Sequence, residues 1–306
     1  MRDHALYARV HTWAASPDPR STMTDEPGPA IRRRQLGRQL KELRLAAGFK
    51  TMDAAAEATD LSRATISRIE SAKQVILPKT VRTLCHAYGI GAPMLDHLVR
   101  QAEESDDRGW LLEYAETVPN WFERYAKEEA EALKIWGYEA EFVPGLLQTD
   151  EYTRAVTTAA RETVTPAALD ESVAFRRARQ ARLDTDTAPE LWFVINEAAV
   201  RRQVGSPQTM RDQLEHLVVM AQRPNITLQV LAFSAGAHPA MVGAFKLLTF
   251  PAESGLGTIY VEVQGGAVYP DRPADFDRYG WVFETLCDLA LSPENTISLL
   301  TRLTSE

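Results

Sequence analysis

From residue 31 the chain is punctuated into short amphipathic segments. Leu36, Leu40 and Leu43 recur at helical spacing on one face, and the AAGF stretch around Gly48 supplies a stop. Residues 51–59 are alanine-rich and helical, and Ser62 caps a helix over SRATISRIE. Pro78 opens a helix with Val81, Leu84, Cys85 and Tyr88 on one side, and Leu95, Leu98 and Val99 mark another. Five helices are therefore predicted up to about residue 100. Beyond it the pattern is mixed. A helix is predicted over 122–136, carrying Phe122, Tyr125, Ala126, Leu133 and Trp136, and a long charged helix over AFRRARQARL. Strands are predicted at 191–195, 226–233, 244–250 and 258–263, the last with Ile259, Val261 and Val263 alternating. Helical faces return with Met210, Leu214, Leu217 and Ala221, with Phe276, Tyr279, Phe283, Leu286 and Ala290, and with Ile297, Leu300 and Leu303. The expected fold is an all-α module followed by a larger α+β domain whose strands gather in its second half.

Residues 14–30 are rich in Pro, Ser, Thr, Asp and Gly without hydrophobic period, so three regions are expected: a disordered segment at 1–30, the helical domain at 31–100 and the α+β domain at 101–306. A second methionine, Met23, stands inside the first region as an alternative start. No apolar run spans a bilayer and the N-terminus lacks a secretory core, which predicts a cytoplasmic protein with no membrane partner. Cys85 and Cys287 are far apart, as buried thiols in a reducing compartment would be.

Charge changes the picture. The chain carries a net charge of -8, but residues 31–100 hold 13 Lys+Arg against 6 Asp+Glu while residues 101–306 hold 18 against 32. A small basic module attached to an acidic one points to a polyanion-binding domain.

In TMDAAAEATDLSRATISRIE a first helix is followed by a tight turn at Asp60 and Leu61, and then by a second helix whose Ile66 and Ile69 face inward, with Ala56 allowing close approach. Ser62, Arg63, Ala64, Thr65, Ser67 and Arg68 are then left outward. Those are the positions a recognition helix offers to the major groove, where arginine can fork onto guanine. This stretch resembles the helix-turn-helix domain of the xenobiotic-response-element (phage repressor-like, lambda-repressor-like) regulators, whose second helix ends in SRIE as Ser67 to Glu70 does. The resemblance implies that Glu70 closes the helix and that Lys73 touches phosphate. Met52 departs from the pattern, standing where many members have a DNA-contacting Gln, and Asp60 replaces the usual turn Gly. Arg63 and Arg68 are expected to read bases, while Lys73, Thr51 and an IRRR arm, with Arg34 and Arg38, hold phosphates.

Farther along, YGIGAPMLDHLVRQAEESDDRGW, EEAEALKIWGYEAEFVPGLLQTDEYTRAV, ELWFVINEAAVRRQVG and PNITLQVLAFSAGAHPAMVGAFKLLTFP are similar to blocks of the actinobacterial, Streptomyces-type regulators of the WhiJ type, in which a domain of unknown function follows the DNA-binding helices. That similarity implies a homodimeric transcription factor on an inverted-repeat operator in double-stranded DNA, modulated by a small neighbour-encoded protein or a small-molecule effector. The other reading is an antitoxin-like protein that sequesters such a partner.

Catalysis is not expected. The stretch around His238 resembles phospholipase D-like half-domains, but Pro239 and Ala240 follow where a His-x-Lys would be needed. The remaining histidines lack metal-ligand spacing, and no nucleophile elbow, phosphate loop or dinucleotide fingerprint appears, so neither metal nor cofactor is expected. Glu129 is unusual in falling within an apolar stripe, where a carboxylate needs a partner. Backbone amides of the PGLLQT loop are one expectation. An effector pocket built from Tyr125, Glu129, Trp136 and Tyr138 is the other.

Overall fold

The computed structural model describes residues 28–105, 114, 118–255 and 257–305. Met23 and most of the expected disordered segment lie outside the described residues. The chain divides into two units, one helical and one built on a sheet.

The helical unit comprises α1 (Pro29–Ala46), α2 (Met52–Thr59), α3 (Arg63–Glu70), α4 (Pro78–Ala87) and α5 (Met94–Glu104). Pro29 at the first turn of α1 draws residues 29 and 30, expected in the N-terminal segment, into the helix. The core collects the apolar stripe of each helix: Leu36 and Leu40 from α1, Ala55 from α2, Ile66 and Ile69 from α3, Leu84 from α4 and Leu98 from α5. Ala55, not Ala56, is the fully buried small residue; Ala56 packs at the margin of that core. At the turn Asp60 adopts φ 54°, a left-handed conformation that Asp tolerates better than most residues. α1 and the end of α3 approach closely: a Cβ on Gly37 would lie 2.6 Å from the Ile69 carbonyl oxygen.

The second unit holds α6 (Asn120–Glu131), β1 (Lys134–Glu139), α7 (Asp150–Ala159), α8 (Pro166–Gln180), β2 (Glu190–Asn196), α9 (Glu197–Arg201), α10 (Pro207–Met220), β3 (Ile226–Leu231), β4 (Phe245–Thr249), β5 (Gly257–Val263), β6 (Gly266–Val268), α11 (Pro273–Leu289) and α12 (Pro293–Leu303). The sheet runs β3-β2-β1-β4-β5-β6. β1 pairs parallel with β2 and antiparallel with β4, so it is the seam between a parallel and an antiparallel half. The predicted helix over 122–136 therefore ends at Glu131, and Leu133 onward leaves it for the centre of the sheet. KIWGYE is buried on both faces, which removes the alternation by which a strand is recognised in sequence.

Register sorts the side chains. Trp136 lies opposite Leu247 and Tyr138 opposite Phe245, and these pack with Trp192, Val194 and Ile259 against Val282, Phe283 and Leu286 of α11. Glu139, Lys246 and Tyr260 belong to the opposite face, where Tyr125 of α6 meets Tyr260 at a ring separation of 4.2 Å. The β3 edge is closed by the chain after α11: Leu291 N donates to the Val230 carbonyl at 2.9 Å, and Val230 N donates to Thr296 Oγ1 at 2.9 Å.

Gly37→Ala is expected to destabilise the protein by about 1 to 3 kcal/mol, because backbone on both sides must shift. Gly91→Ala, at a position with nothing within 4 Å of its added Cβ, is expected to be nearly neutral. Urea unfolding of the two variants side by side checks this; equal midpoints contradict the close approach.

Candidate nucleic-acid interface

The local sequence explains how the outward face of α3 is made. Ser62 caps the helix, its Oγ accepting from Thr65 N at 3.0 Å and lying 2.8 Å from Thr65 Oγ1. Thr51 caps α2 likewise, its Oγ1 accepting from Ala54 N at 3.2 Å. Both hydroxyls thus satisfy helix-end amides; Thr51 keeps its O–H for another acceptor, while the Ser62 and Thr65 hydroxyls share one hydrogen bond. Ile66 and Ile69 turn inward, leaving Ser62, Arg63, Ala64, Ser67 and Arg68 exposed and Thr65 half-buried.

Arg63 lies 3.8 Å from Asp53, and Arg68 Nε donates to Gln74 Oε1 at 2.9 Å. Both are loose surface arrangements from which the guanidinium can be withdrawn at little cost. Lys73 is exposed, and its amide donates to the Arg68 carbonyl at 2.8 Å, closing α3 just past its end.

The IRRR stretch is not an arm. It is the first turn of α1, where Arg32 Nη1 bonds Glu104 at 2.8 Å and buried Arg33 donates to the Ser105 carbonyl at 2.7 Å. Arg34 is half-buried on the same helix, and Arg38 is exposed beside Glu42 at 3.1 Å.

What holds α3 is buried. Arg44, in the last turn of α1, donates from Nε to Glu70 Oε1 at 2.5 Å and from Nη2 to Glu70 Oε2 at 3.0 Å. Its Nη1 donates to the Phe49 carbonyl at 2.6 Å. The hydrogen bond to Glu70 raises the Arg44 pKa, and burial pushes the neighbouring Tyr88 phenol up to about 12. Glu70 closes its helix as expected; Arg44, its partner, was not singled out in the sequence, because it reads there as one more charge on an amphipathic helix.

The four residues expected to form an effector pocket do not converge. Trp136 and Tyr138 lie on the sheet face under α11, where Asn196 donates to the Tyr138 hydroxyl at 3.0 Å. Tyr125 and Glu129 lie with the opposite face. Glu129 is not held by PGLLQT amides either: it takes Arg179 Nε at 2.6 Å, Arg179 Nη2 at 2.8 Å and the Tyr125 hydroxyl at 2.7 Å. Burial opposes its charge, but the Arg179 guanidinium and the Tyr125 bond outweigh burial and leave its pKa below the usual 4.5. The PGLLQT loop is held by glutamines instead, with Gln213 Nε2 donating to the Leu147 carbonyl at 2.7 Å.

Residues 35–98 match a family model described as Helix-turn-helix domain, and residues 122–302 match one described as Domain of unknown function (DUF5753). No curated protein and no solved structure gives a match. No helix among the described residues is long and apolar enough to cross a membrane.

Arg44→Met leaves Glu70 charged and buried, and should cost about 3 to 5 kcal/mol in urea unfolding, much of it recovered by Arg44→Met with Glu70→Leu. A cost under 1 kcal/mol for the single variant contradicts the buried pair. Glu129 titrates lower when folded than when unfolded, so its stabilisation is complete above pH 4.5 and is lost as pH falls through its folded value. Glu129→Gln should therefore be less stable at neutral pH and show a shallower acid limb; parallel stability–pH curves for the two proteins contradict that role.

Proposed function

The chain belongs to the family of the Domain of unknown function (DUF5753), and since it joins that domain to a helix-turn-helix domain, we propose that it is a sequence-specific transcriptional regulator of the WhiJ type. One observation carries this reading: α3 presents Arg63 and Arg68 outward while its inner face and its end are fixed by Ile66, Ile69 and the Arg44–Glu70 pair. Arg63 and Arg68 read base edges, and Lys73, Thr51, Arg34 and Arg38 contact phosphates. Arg68 exchanges its bond to Gln74 for a guanine. The protein acts as a homodimer on an inverted repeat with half-sites about 34 Å apart, or a multiple of that distance. The sheet-containing domain is not an enzyme in this reading. It receives a small molecule or a small protein partner, and its 32 Asp+Glu against 18 Lys+Arg over 101–306 argue against a second DNA-binding surface there.

Sequencing the DNA that co-purifies with the protein supplies the operator. Arg68→Ala should then weaken operator binding by about 1 to 3 kcal/mol with little change on scrambled duplex, and Lys73→Ala should weaken both alike and lower the salt slope by about 1. Equal losses on both duplexes for Arg68→Ala would remove it from base readout, and no enrichment of any DNA sequence would sink the regulator reading.

A further inference from the structure

We propose that Arg176 on α8, seated on Gly145, forms a receiving site for a small oxyanion, the carboxylate or phosphate group of a free ligand. Arginine does not shed its proton in a protein, so a guanidinium drawn out of water keeps its charge and needs a counter-charge. The neighbours of Arg176 have each found one. Arg179 takes both oxygens of Glu129, and Lys246 lies 2.8 Å from Glu139.

Arg176 has none of this. Its Nε is buried without a hydrogen-bond partner among the described residues. The carboxylates Glu129, Glu262 and Glu139 favour its charge, and they act on it through space and not by hydrogen bond. Glu129 is taken by Arg179 and Tyr125, and Glu262 accepts from the Tyr260 hydroxyl at 3.0 Å. Burial first and the Arg179 charge second pull the Arg176 pKa down to about 10.

The fold nevertheless makes room for this charge. A Cβ on Gly145 would lie 2.0 Å from Arg176 Nη1. Gly145 is not among the residues with positive φ, so its backbone does not require glycine; a side chain there would instead push the end of Arg176 aside. Arg176 remains partly accessible, unlike Arg179, and an arginine fork matches a ligand with two coplanar or near-coplanar oxygens. A ligand oxyanion there would supply the missing charge.

This deepens the sensing part of the proposed function and rests on that reading only for what the binding event controls. The test needs no DNA. The melting temperature of the full chain is followed in sodium phosphate, in sodium acetate and in sodium chloride at matched ionic strength. We expect a saturable rise in phosphate or in acetate beyond chloride, and whichever oxyanion gives it identifies the group recognised. Arg176→Met should weaken that response at least about tenfold. Without oxyanion it should melt at or above the parent protein, since it removes an uncompensated charge. Gly145→Ala should weaken the response as well, by displacing the guanidinium. Arg177→Gln, one residue along and paired on the surface with Asp150, should keep it.

Equal behaviour in all three salts, an undiminished response in Arg176→Met, or an oxyanion-free Arg176→Met that melts lower would each overturn the site. An oxyanion response in a protein that enriches no DNA would leave the site standing and remove the regulator reading. Enriched DNA without an oxyanion response would do the reverse.

Discussion

Arg44 makes three hydrogen bonds at one point in the helical unit, two to Glu70 and one to the Phe49 carbonyl, and thereby joins the end of α1, the connection after it and the end of α3. A helix of eight residues has little stability of its own, so the direction in which α3 points depends on what clamps its ends. Ser62 and Thr65 order the first turn, and the Arg44–Glu70 fork orders the last. Ile66 and Ile69 fix its rotation between them. The exposed face of α3 is thus a consequence of buried chemistry: withdrawing either partner of the fork leaves a charge in the core and frees the end that Lys73 follows.

The sheet-containing unit uses the same device differently. Glu129 on α6 and Arg179 on α8 are nearly inaccessible, and their fork ties two helices that are 50 residues apart in sequence. Aromatic rings surround the arginine, with Phe122 at 5.0 Å, Phe175 at 5.5 Å and Tyr125 at 5.9 Å from its guanidinium carbon. Low polarity there strengthens the pair and raises the cost of any charge left over. Among the described residues this ion-paired core sits on the face of the sheet that carries Tyr125 and Tyr260. The other face, with Trp136, Trp192 and Phe283, is mainly aromatic, with the Trp136 and Phe283 rings stacked at 5.6 Å and Trp192 Nε1 donating to buried Gln229 Oε1 at 2.8 Å.

Elements set off from their neighbours by caps, stops or breakers were legible in the sequence. The helices of the first unit announce their buried stripe, their caps and their stops within a few residues. The strands at Ile226–Leu231, Phe245–Thr249 and Gly257–Val263 stand out by β-branched and aromatic runs between breakers. β1 was hidden because it follows directly on a helix whose apolar spacing continues into it, through Leu133 and Trp136, with no breaker between. The pocket expected from Tyr125, Glu129, Trp136 and Tyr138 fell with it: placing Trp136 and Tyr138 on a strand sends both to the sheet face away from Glu129.

By itself the sequence determined that an exposed cationic helix follows a tight turn, that the first hundred residues are basic and the rest acidic, and that Glu129 requires a partner. These are local or additive properties, set by spacing along a helix or by counting charges. The tertiary structure alone decided which partner each buried charge received: Arg44 for Glu70, Arg179 for Glu129, and, among the described residues, no hydrogen-bonding partner for the buried Nε of Arg176. Those pairings span 26 and 50 residues. A guanidinium looks the same in sequence whether it meets a carboxylate or not, and only chain packing fixes the few ångströms that separate the two cases.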